Sequence, residues 1–217
     1  MPLSRFDKLP LERRLRILET AAQEVGKHGY QGTSLNRILE TVGISKGAAY
    51  YYFEDKSDLL ATVVEYFLEA SRPPEEEAPA GREDFWPRLE QRYRQQFLQL
   101  QSTPWMRGLA RAVWRMPTEL REGPLAPVYG ELERRLRSDL EHGQQVGAVR
   151  GELPLELICD LYLAIDQATE QWLLSNLDLL DEQGMAEHAT TLVELLKRAL
   201  APVEVAAAAG ERTHAVA

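Results

Sequence analysis

A serine, a lysine and three consecutive tyrosines lie close together in residues 43–53, GISKGAAYYYF. A serine hydroxyl and a lysine ammonium can donate to a phosphate, and tyrosine phenols can donate to phosphates or to base edges. Gly47 and Ala48 carry little bulk, so the backbone there can approach a partner closely. Because successive helical side chains point about 100° apart, the three tyrosines cannot all face a core. The stretch is therefore a candidate for binding a phosphate-bearing partner.

The same stretch also matches a catalytic pattern. Gly43, Ser45 and Gly47 have the G-x-S-x-G spacing of the turn that exposes a nucleophilic serine in α/β hydrolases, but that turn follows a strand. Residues 35–42 instead carry the apolar spacing of a short helix. No phosphate-binding glycine loop occurs, and the histidines lack metal-ligand spacing: His28, His142, His188 and His214. The sequence predicts no enzyme, no metal site and no cofactor.

Apolar residues at three- and four-residue intervals predict the elements that position this stretch. A first helix over residues 11–27 stops near Gly29, a second over 35–42 ends at Gly43, and a third runs over 45–53. The apolar faces are Leu11, Leu15, Leu18, Ala22 and Val25 in the first helix, and Leu35, Ile38, Leu39 and Val42 in the second.

A tight turn joins the second and third of these helices. Gly43 can take the left-handed conformation that the turn needs, while Ile44 packs inward between the helices. Thr33 or Ser34 can cap the second helix, and Ser45 can cap the third. Helices this short are stable only when packed, so the first helix must complete a three-helix unit. This arrangement is a helix-turn-helix, whose second short helix enters a DNA major groove.

The remaining sequence is also helical in pattern. Asp55 can cap a fourth helix, residues 72–81 (RPPEEEAPAG) indicate a flexible loop, and the tail over 203–217 lacks an apolar face and is expected to be disordered. Between them lie further amphipathic segments, ending in two long helices over about 154–176 and 181–201. No strand alternation or hairpin signal occurs. The fold class is all-α.

Charge is distributed unevenly along the 217 residues, whose formal net charge is −9. Residues 1–53 carry eight basic and five acidic side chains, a net of +3, and the rest carries −12. The overall acidity therefore does not exclude a nucleic-acid partner for the N-terminal part. A single cysteine, Cys159, excludes a disulfide framework, and no apolar run spans a membrane or forms a leader, so a cytoplasmic protein is expected.

Residues 16–60 resemble the TetR family of transcriptional regulators, over about a fifth of the chain. The elements GY-x-x-TS, G-[VI]-SKGA-x-YYxF and K-x-[DE]-LL occur in order at the family's spacing. Three positions depart from the usual pattern: Leu39 where alanine is usual, Ala49 for a common leucine, and Tyr52 where histidine is frequent. The first two affect core packing, and Tyr52 affects sequence preference on DNA.

The resemblance implies a set of DNA contacts. Two residues would anchor the second helix to phosphate, four would lie at the groove-entering end of the third, and the tyrosines with one later lysine would contact backbone and base edges. These residues are Thr33 and Ser34; Ser45, Lys46, Gly47 and Ala48; and Tyr50, Tyr51, Tyr52 and Lys56. Arg5, Lys8 and Arg13 either add phosphate contacts or form a solvated surface.

The resemblance also implies the domain organisation. Residues 1–55 would form the DNA-binding domain, and 56–202 a helical bundle that binds a small-molecule effector. The last two long helices would make a homodimer, with Leu163, Leu192 and Leu196 as candidate interface residues.

Candidate pocket residues come from the aromatic side chains of the C-terminal part. The set is Phe67, Trp105, Trp114, Tyr129, Tyr162 and Asp166, although aromatic side chains at helical spacing equally fill a core. Asp166, four residues after Tyr162 among apolar turns, faces a polar pocket, the dimer seam or solvent, and Glu170 shares these alternatives.

These observations predict a homodimeric, effector-released repressor that binds a pseudo-palindromic operator on double-stranded DNA, with no membrane partner. The alternative is a helical ligand- or partner-binding protein whose helix-turn-helix is only structural. The sequence does not distinguish a repressor from an activator.

Overall fold

The computed structural model describes residues 4–45, 50–70, 81–114, 116 and 118–203, and every regular element in these ranges is helical. The all-α prediction is confirmed. The helices are α1 (Ser4–Asp7), α2 (Leu11–Gly32), α3 (Leu35–Thr41), α4 (Lys56–Ala70), α5 (Arg82–Ser102), α6 (Pro104–Trp114), α7 (Thr118–Glu122), α8 (Ala126–Gln145), α9 (Leu155–Asn176) and α10 (Glu182–Leu200), with a 3-10 turn at Leu177–Leu179. Within these ranges no helix is long and apolar enough to cross a membrane.

Helices α2 and α3 begin and end where local chemistry directs them. The helical path of α2 is interrupted at Gly29, whose φ of 66° and ψ of 174° favour glycine. Helix α3 follows after Ser34, whose hydroxyl accepts a hydrogen bond from the Arg37 amide. The predicted stop near Gly29 and the predicted serine cap are therefore confirmed.

One residue of the expected apolar face of α2 is misplaced. Leu11 is 62% exposed, whereas Ile17 and Ala21 are fully buried. Leu11 is the first residue of α2, and at this end of the helix no neighbouring element covers its side chain. The expectation that Leu11 faces the core was wrong.

Helix α4 has the carboxylate cap expected from Asp55. Its Oδ1 accepts a hydrogen bond from the Asp58 amide at 2.9 Å and one from the Ser57 hydroxyl at 2.5 Å. These bonds, above all the one from Ser57, lower the pKa of Asp55 below its usual value. The helix therefore starts on an ionised acceptor, which its N-terminal dipole also favours.

The C-terminal part is a bundle in which α5 packs on α10, α10 on α9, and α9 on α8. Helix α6 connects this bundle to the N-terminal helices. It packs against α5 and α9 of the bundle and also against α2 and α4. The α2–α6 contact is close enough that a Cβ atom added at Gly26 would lie 2.7 Å from the carbonyl carbon of Gly108. The backbones of the two helices thus touch directly.

Two expectations fall on segments that the structure does not describe. The predicted flexible loop over 72–81 lies outside the described residues except for Gly81, and the predicted disordered tail over 203–217 does so except for Val203.

Candidate nucleic-acid interface

The turn after α3 is built from a left-handed glycine and a buried isoleucine. Gly43 has a φ of 74°, and its amide donates to the Glu40 carbonyl at 3.1 Å. The Ile44 amide donates to the Leu39 carbonyl at 2.7 Å, and the Ile44 side chain is buried. Ser45 follows at the surface. The turn has the left-handed glycine and the buried isoleucine that the sequence predicts.

The two hydroxyls before α3 have different environments. Thr33 is buried, and its hydroxyl donates to the Gly29 carbonyl at 2.7 Å, which ties the end of α2 to the start of α3. Ser34 is half-buried and caps α3. Thr33 therefore has an internal hydrogen bond, while its expected phosphate contact stays a prediction.

An ion pair fixes the orientation of α3 on α2. Arg37 Nη1 lies 2.7 Å from Glu24 Oε1, and His28 Nε2 lies 3.7 Å from the other carboxylate oxygen. Glu24 is largely covered while Arg37 is half-exposed, so this pair is less screened by solvent than a fully exposed one.

The three tyrosines separate into exposed and packed rings. Tyr50 and Tyr51 are 64% and 55% exposed, whereas Tyr52 packs partly against the core. The expectation that at least one phenol faces solvent is confirmed. The predicted helix over 45–53 does not extend through its last residues, because Tyr50, Tyr51 and Tyr52 form a turn and Phe53 is not helical. Lys46, Gly47 and Ala48, the other expected contacts of this segment, lie outside the described residues.

Helix α1 covers this tyrosine segment and was not expected from the sequence. Phe6 is buried against fully buried Phe53, with ring centroids 5.0 Å apart. The Arg5 guanidinium lies 4.3 Å from the centroid of the Tyr51 ring. The sequence signal for this helix is the aromatic Phe6 beside the basic Arg5, but that pair does not indicate which residues they contact.

Lys56 makes internal contacts at the end of α2. Its Nζ donates to the Tyr30 carbonyl at 2.9 Å and to the Gln31 carbonyl at 3.4 Å, and it lies 4.2 Å from the centroid of the Tyr30 ring. A cation at the carbonyl end of a helix stabilises it. The expected phosphate contact of Lys56 stays a prediction, and it would have to share the ammonium with these carbonyls.

Known proteins match this part of the chain. The profile described as "Bacterial regulatory proteins, tetR family" matches residues 17–63, which include α3, the turn and the tyrosines. Residues 17–63 thus match the DNA-binding region of TetR-family regulators.

Relatives agree with this match. The HTH-type transcriptional repressor AcnR of Corynebacterium diphtheriae is 47% identical over 47 residues, which cover 22% of this chain and 25% of AcnR. The matched segment thus spans about a quarter of that relative. The probable acrEF/envCD operon repressor of Escherichia coli K12 is 25% identical over 203 residues, covering 89% of each chain.

A solved structure matches the fold of nearly the whole chain. The regulator FadR of Bacillus subtilis, in complex with stearoyl-CoA, superposes with a TM-score of 0.65 at 18% identity, over 84% of this chain and 96% of FadR. At this identity the likeness shows the fold alone.

In the C-terminal bundle, two buried tyrosines and a half-buried carboxylate form a hydrogen-bonded network. The Tyr93 and Tyr162 hydroxyls are 2.5 Å apart, and the Tyr93 hydroxyl donates to Asp166 Oδ1 at 2.6 Å. Burial raises the pKa of Asp166, although the bond from Tyr93 and the charge of Arg92 oppose the shift. Burial also raises the pKa of Tyr162 to about 12. Tyr93, which joins the two expected pocket residues, was missed because its helical spacing indicated only a core position.

The remaining expected pocket residues lie elsewhere. Phe67 and Trp105 meet edge to face at a centroid distance of 6.5 Å, and Tyr66 stacks on Trp105 at 5.7 Å. Tyr129 lies near α7, with the Arg121 guanidinium 5.7 Å from its ring centroid. The side chain of Trp114 is outside the described set. The expected residues therefore form separate clusters along α4, α6, α8 and α9.

The expected interface residues need a correction. Leu192 and Leu196 have no exposed surface and pack in the core of a single chain, so they cannot form a contact surface with a second copy. They lie on the inner face of α10, which packs on α5 and α9. Leu163 is half-buried, and Leu195, on the outer side of α10, is 42% exposed.

Proposed function

We propose that this chain is a TetR-family DNA-binding transcriptional repressor that acts as a homodimer on a pseudo-palindromic operator and is released by a small molecule. The observation that carries the proposal is the pair of exposed phenols, Tyr50 and Tyr51, which follow the turn at Gly43 and the packed helices α2 and α3. This is the position from which a helix-turn-helix reads the major groove.

The residues expected to face DNA have two roles, recognition of base edges and positioning on the phosphate backbone. Tyr50 and Tyr51 have the exposed donors and acceptors that base edges and phosphates recognise, and Tyr52 flanks them. Ser45, with Lys46, Gly47 and Ala48, supplies the groove-entering end. Thr33, Ser34 and Lys56 would flank it on the phosphates. Only the first role carries sequence information, because phosphates are the same at every base pair.

An exposed stripe along α9 supports the homodimer. Leu157, Leu161, Ala164, Ala168 and Trp172 recur at intervals of three and four residues; Leu161 is half-buried, and Leu157 and Trp172 are 42% and 50% exposed. Trp172 stacks on His188 of α10 at a centroid distance of 5.1 Å, so the surface continues onto α10 toward Leu195. A continuous apolar surface of this kind favours a second copy over solvent.

The hydrogen-bonded network of Tyr93, Tyr162 and Asp166 supports an effector site in the bundle. A desolvated carboxylate is costly unless a partner compensates it, so the network is a place where a polar ligand group would gain from binding. The stearoyl-CoA complex of FadR is a precedent for ligand binding on this fold.

Helix α6 offers the connection between the two parts. It touches α2 backbone to backbone at Gly26 and Gly108, and Trp105 stacks on Tyr66 of α4. A ligand that prefers one position of α6 would lower DNA affinity by as much as it prefers the non-binding state, since the coupling is reciprocal.

The test measures, by fluorescence anisotropy, how tightly the full chain binds DNA duplexes from the region upstream of its own coding sequence. We expect binding at least about 1,000-fold tighter to one inverted-repeat segment than to a shuffled duplex at the same salt concentration. Equal affinity for both duplexes would overturn the repressor proposal. It would instead favour the alternative in which the helix-turn-helix is only structural.

A further inference from the structure

We propose that Arg5 is a positioning residue for DNA recognition, which acts by holding the Tyr51 ring through a cation–π contact. The inference rests on the proposed function and assigns a role to α1, a helix that lies before the matched TetR-family segment.

Two adjacent contacts tie α1 to the tyrosine segment. Phe6 packs on Phe53 in the core, which fixes the position of the short helix. The neighbouring Arg5 then reaches outward and places its guanidinium 4.3 Å from the Tyr51 ring centroid, within the range of an attractive cation–π contact. One contact anchors α1, and the other reaches an exposed residue of the recognition surface.

The contact limits the freedom of a side chain that would otherwise be mobile. Tyr51 is more than half exposed, so ordering its ring on DNA costs conformational entropy. A guanidinium over the ring face restricts the ring while it leaves the phenol hydroxyl at the ring edge free. Tyr51 would then bind in an orientation it already holds, and pre-organisation of this kind improves affinity.

Tyr50 provides the internal comparison. It is as exposed as Tyr51, but within the described residues the ring beneath Arg5 is that of Tyr51. Lys8 provides the second comparison, since it is an exposed cation just after α1. Removal of Lys8 takes away one charge and leaves the Arg5–Tyr51 contact in place.

The experiment is a double-mutant cycle on operator affinity in the full chain, at two or more salt concentrations. One cycle compares Arg5→Ala, Tyr51→Ala and the double variant. A second cycle does the same with Arg5→Ala and Tyr50→Ala, and Lys8→Ala is the charge control. We expect Arg5→Ala to weaken operator binding about two- to fivefold for each bound subunit, with the dependence of affinity on salt concentration unchanged. In the Tyr51→Ala background the same substitution should have no effect, whereas in the Tyr50→Ala background it should keep its full effect.

A conservative series and a structural readout complete the test. Tyr51→Phe keeps the ring, so the effect of Arg5→Ala should persist in that background, and Arg5→Lys should restore part of the affinity. In DNA-free protein, the Arg5 side-chain protons should show an upfield ring-current shift in NMR spectra that Tyr51→Ala abolishes. Arg5 and Tyr51 are both exposed, so the variants should fold, and circular dichroism checks this.

Three results would overturn the inference. One is equal loss from Arg5→Ala in the wild-type and Tyr51→Ala backgrounds with a salt slope reduced by about one unit, which is the signature of a direct phosphate contact. The others are an unchanged affinity in Arg5→Ala and the absence of the ring-current shift. If the wild-type chain bound no duplex specifically, the proposed function would fail. Specific wild-type binding together with any of the three results above would overturn the inference about Arg5 and leave the proposed function intact.

Discussion

At the scale of single residues, the half-buried carboxylate of Asp166 has a pKa that its surroundings shift. It accepts a hydrogen bond from Tyr93 within the bundle, and Arg92 lies near enough to oppose part of the desolvation. Burial still prevails and raises the pKa of Asp166 above its usual value of 3.8. A group whose pKa is higher in the folded chain favours folding most when it is protonated. Its contribution is therefore complete at low pH and is lost as pH rises through the folded-state pKa.

Replacement of this carboxyl by a neutral amide should stabilise the protein at neutral pH. In Asp166→Asn the amide oxygen can still accept the hydrogen bond from Tyr93, while the charge that is costly to bury is gone. We expect the free energy of unfolding at pH 7 to rise by about 1 kcal/mol, measured by urea denaturation. The difference between variant and wild type should shrink as pH falls toward 4.

An exposed carboxyl on the same helix is the control. Asp160→Asn should change the free energy of unfolding by less than about 0.5 kcal/mol across the same pH range. A destabilised Asp166→Asn at pH 7 would mean that the ionised carboxylate is compensated in the bundle, contrary to the direction of its pKa.

At the scale of helices, the contact between α2 and α6 depends on two glycines. A Cβ atom at Gly26 would meet the Gly108 backbone at 2.7 and 2.8 Å, and a Cβ at Gly108 would lie 3.3 Å from the Gly26 Cα. Backbone atoms cannot rotate away as a flexible side chain can. The distance between α2 and α6 is therefore set by the absence of side chains at these positions.

Alanine at these glycines should separate crowding from helix propensity. Gly26→Ala should lower the free energy of unfolding by about 1–3 kcal/mol, because the helices must move apart. Gly108→Ala should cost less, since its Cβ needs a displacement of only a few tenths of an ångström. Thermal and urea denaturation of both variants measure the difference.

A third glycine supplies the matched control. Gly130 lies inside α8, and a Cβ there would meet nothing within 4 Å. Gly130→Ala should raise the free energy of unfolding by about 0.5–1 kcal/mol, the gain in helix propensity alone. A gain of that size in Gly26→Ala would show that the α2–α6 contact relaxes without cost.

At the scale of the whole molecule, α10 has an inner and an outer face with different roles. Leu192 and Leu196 are fully buried on the helix that packs against α5 and α9, while Leu195 on the same helix is 42% exposed. The inner leucines hold one chain together, and the outer surface is the one that can meet a second copy.

Substitutions on the two faces should therefore fail in different ways. Leu195→Glu should keep the helical content and halve the mass measured by light scattering, because a charge at the proposed seam would be buried without a partner. Leu192→Ala should retain the mass of the assembly but lower the free energy of unfolding by about 2–5 kcal/mol, the cost of a cavity in a core. An undiminished mass in Leu195→Glu would place the interface on another surface.

Local sequence signals predict much of the local structure and the resemblance to the TetR family. Helix periodicity, the glycines at 29 and 43 and the caps at Ser34 and Asp55 are local features, since each acts within a few residues of its own position. They were enough to predict the all-α class, the turn and the exposure of at least one of the tyrosines.

The residues that meet across the chain follow from how the helices pack. The pairing of Arg5 with Tyr51, of Tyr93 with Tyr162 and Asp166, and of Gly26 with Gly108 joins positions far apart in sequence. The same holds for α10, where both Leu192 and Leu195 are leucines three positions apart and only the packing of α5 and α9 buries one of them. Periodicity identifies a face of a helix, but which partner covers that face depends on how all the helices pack together.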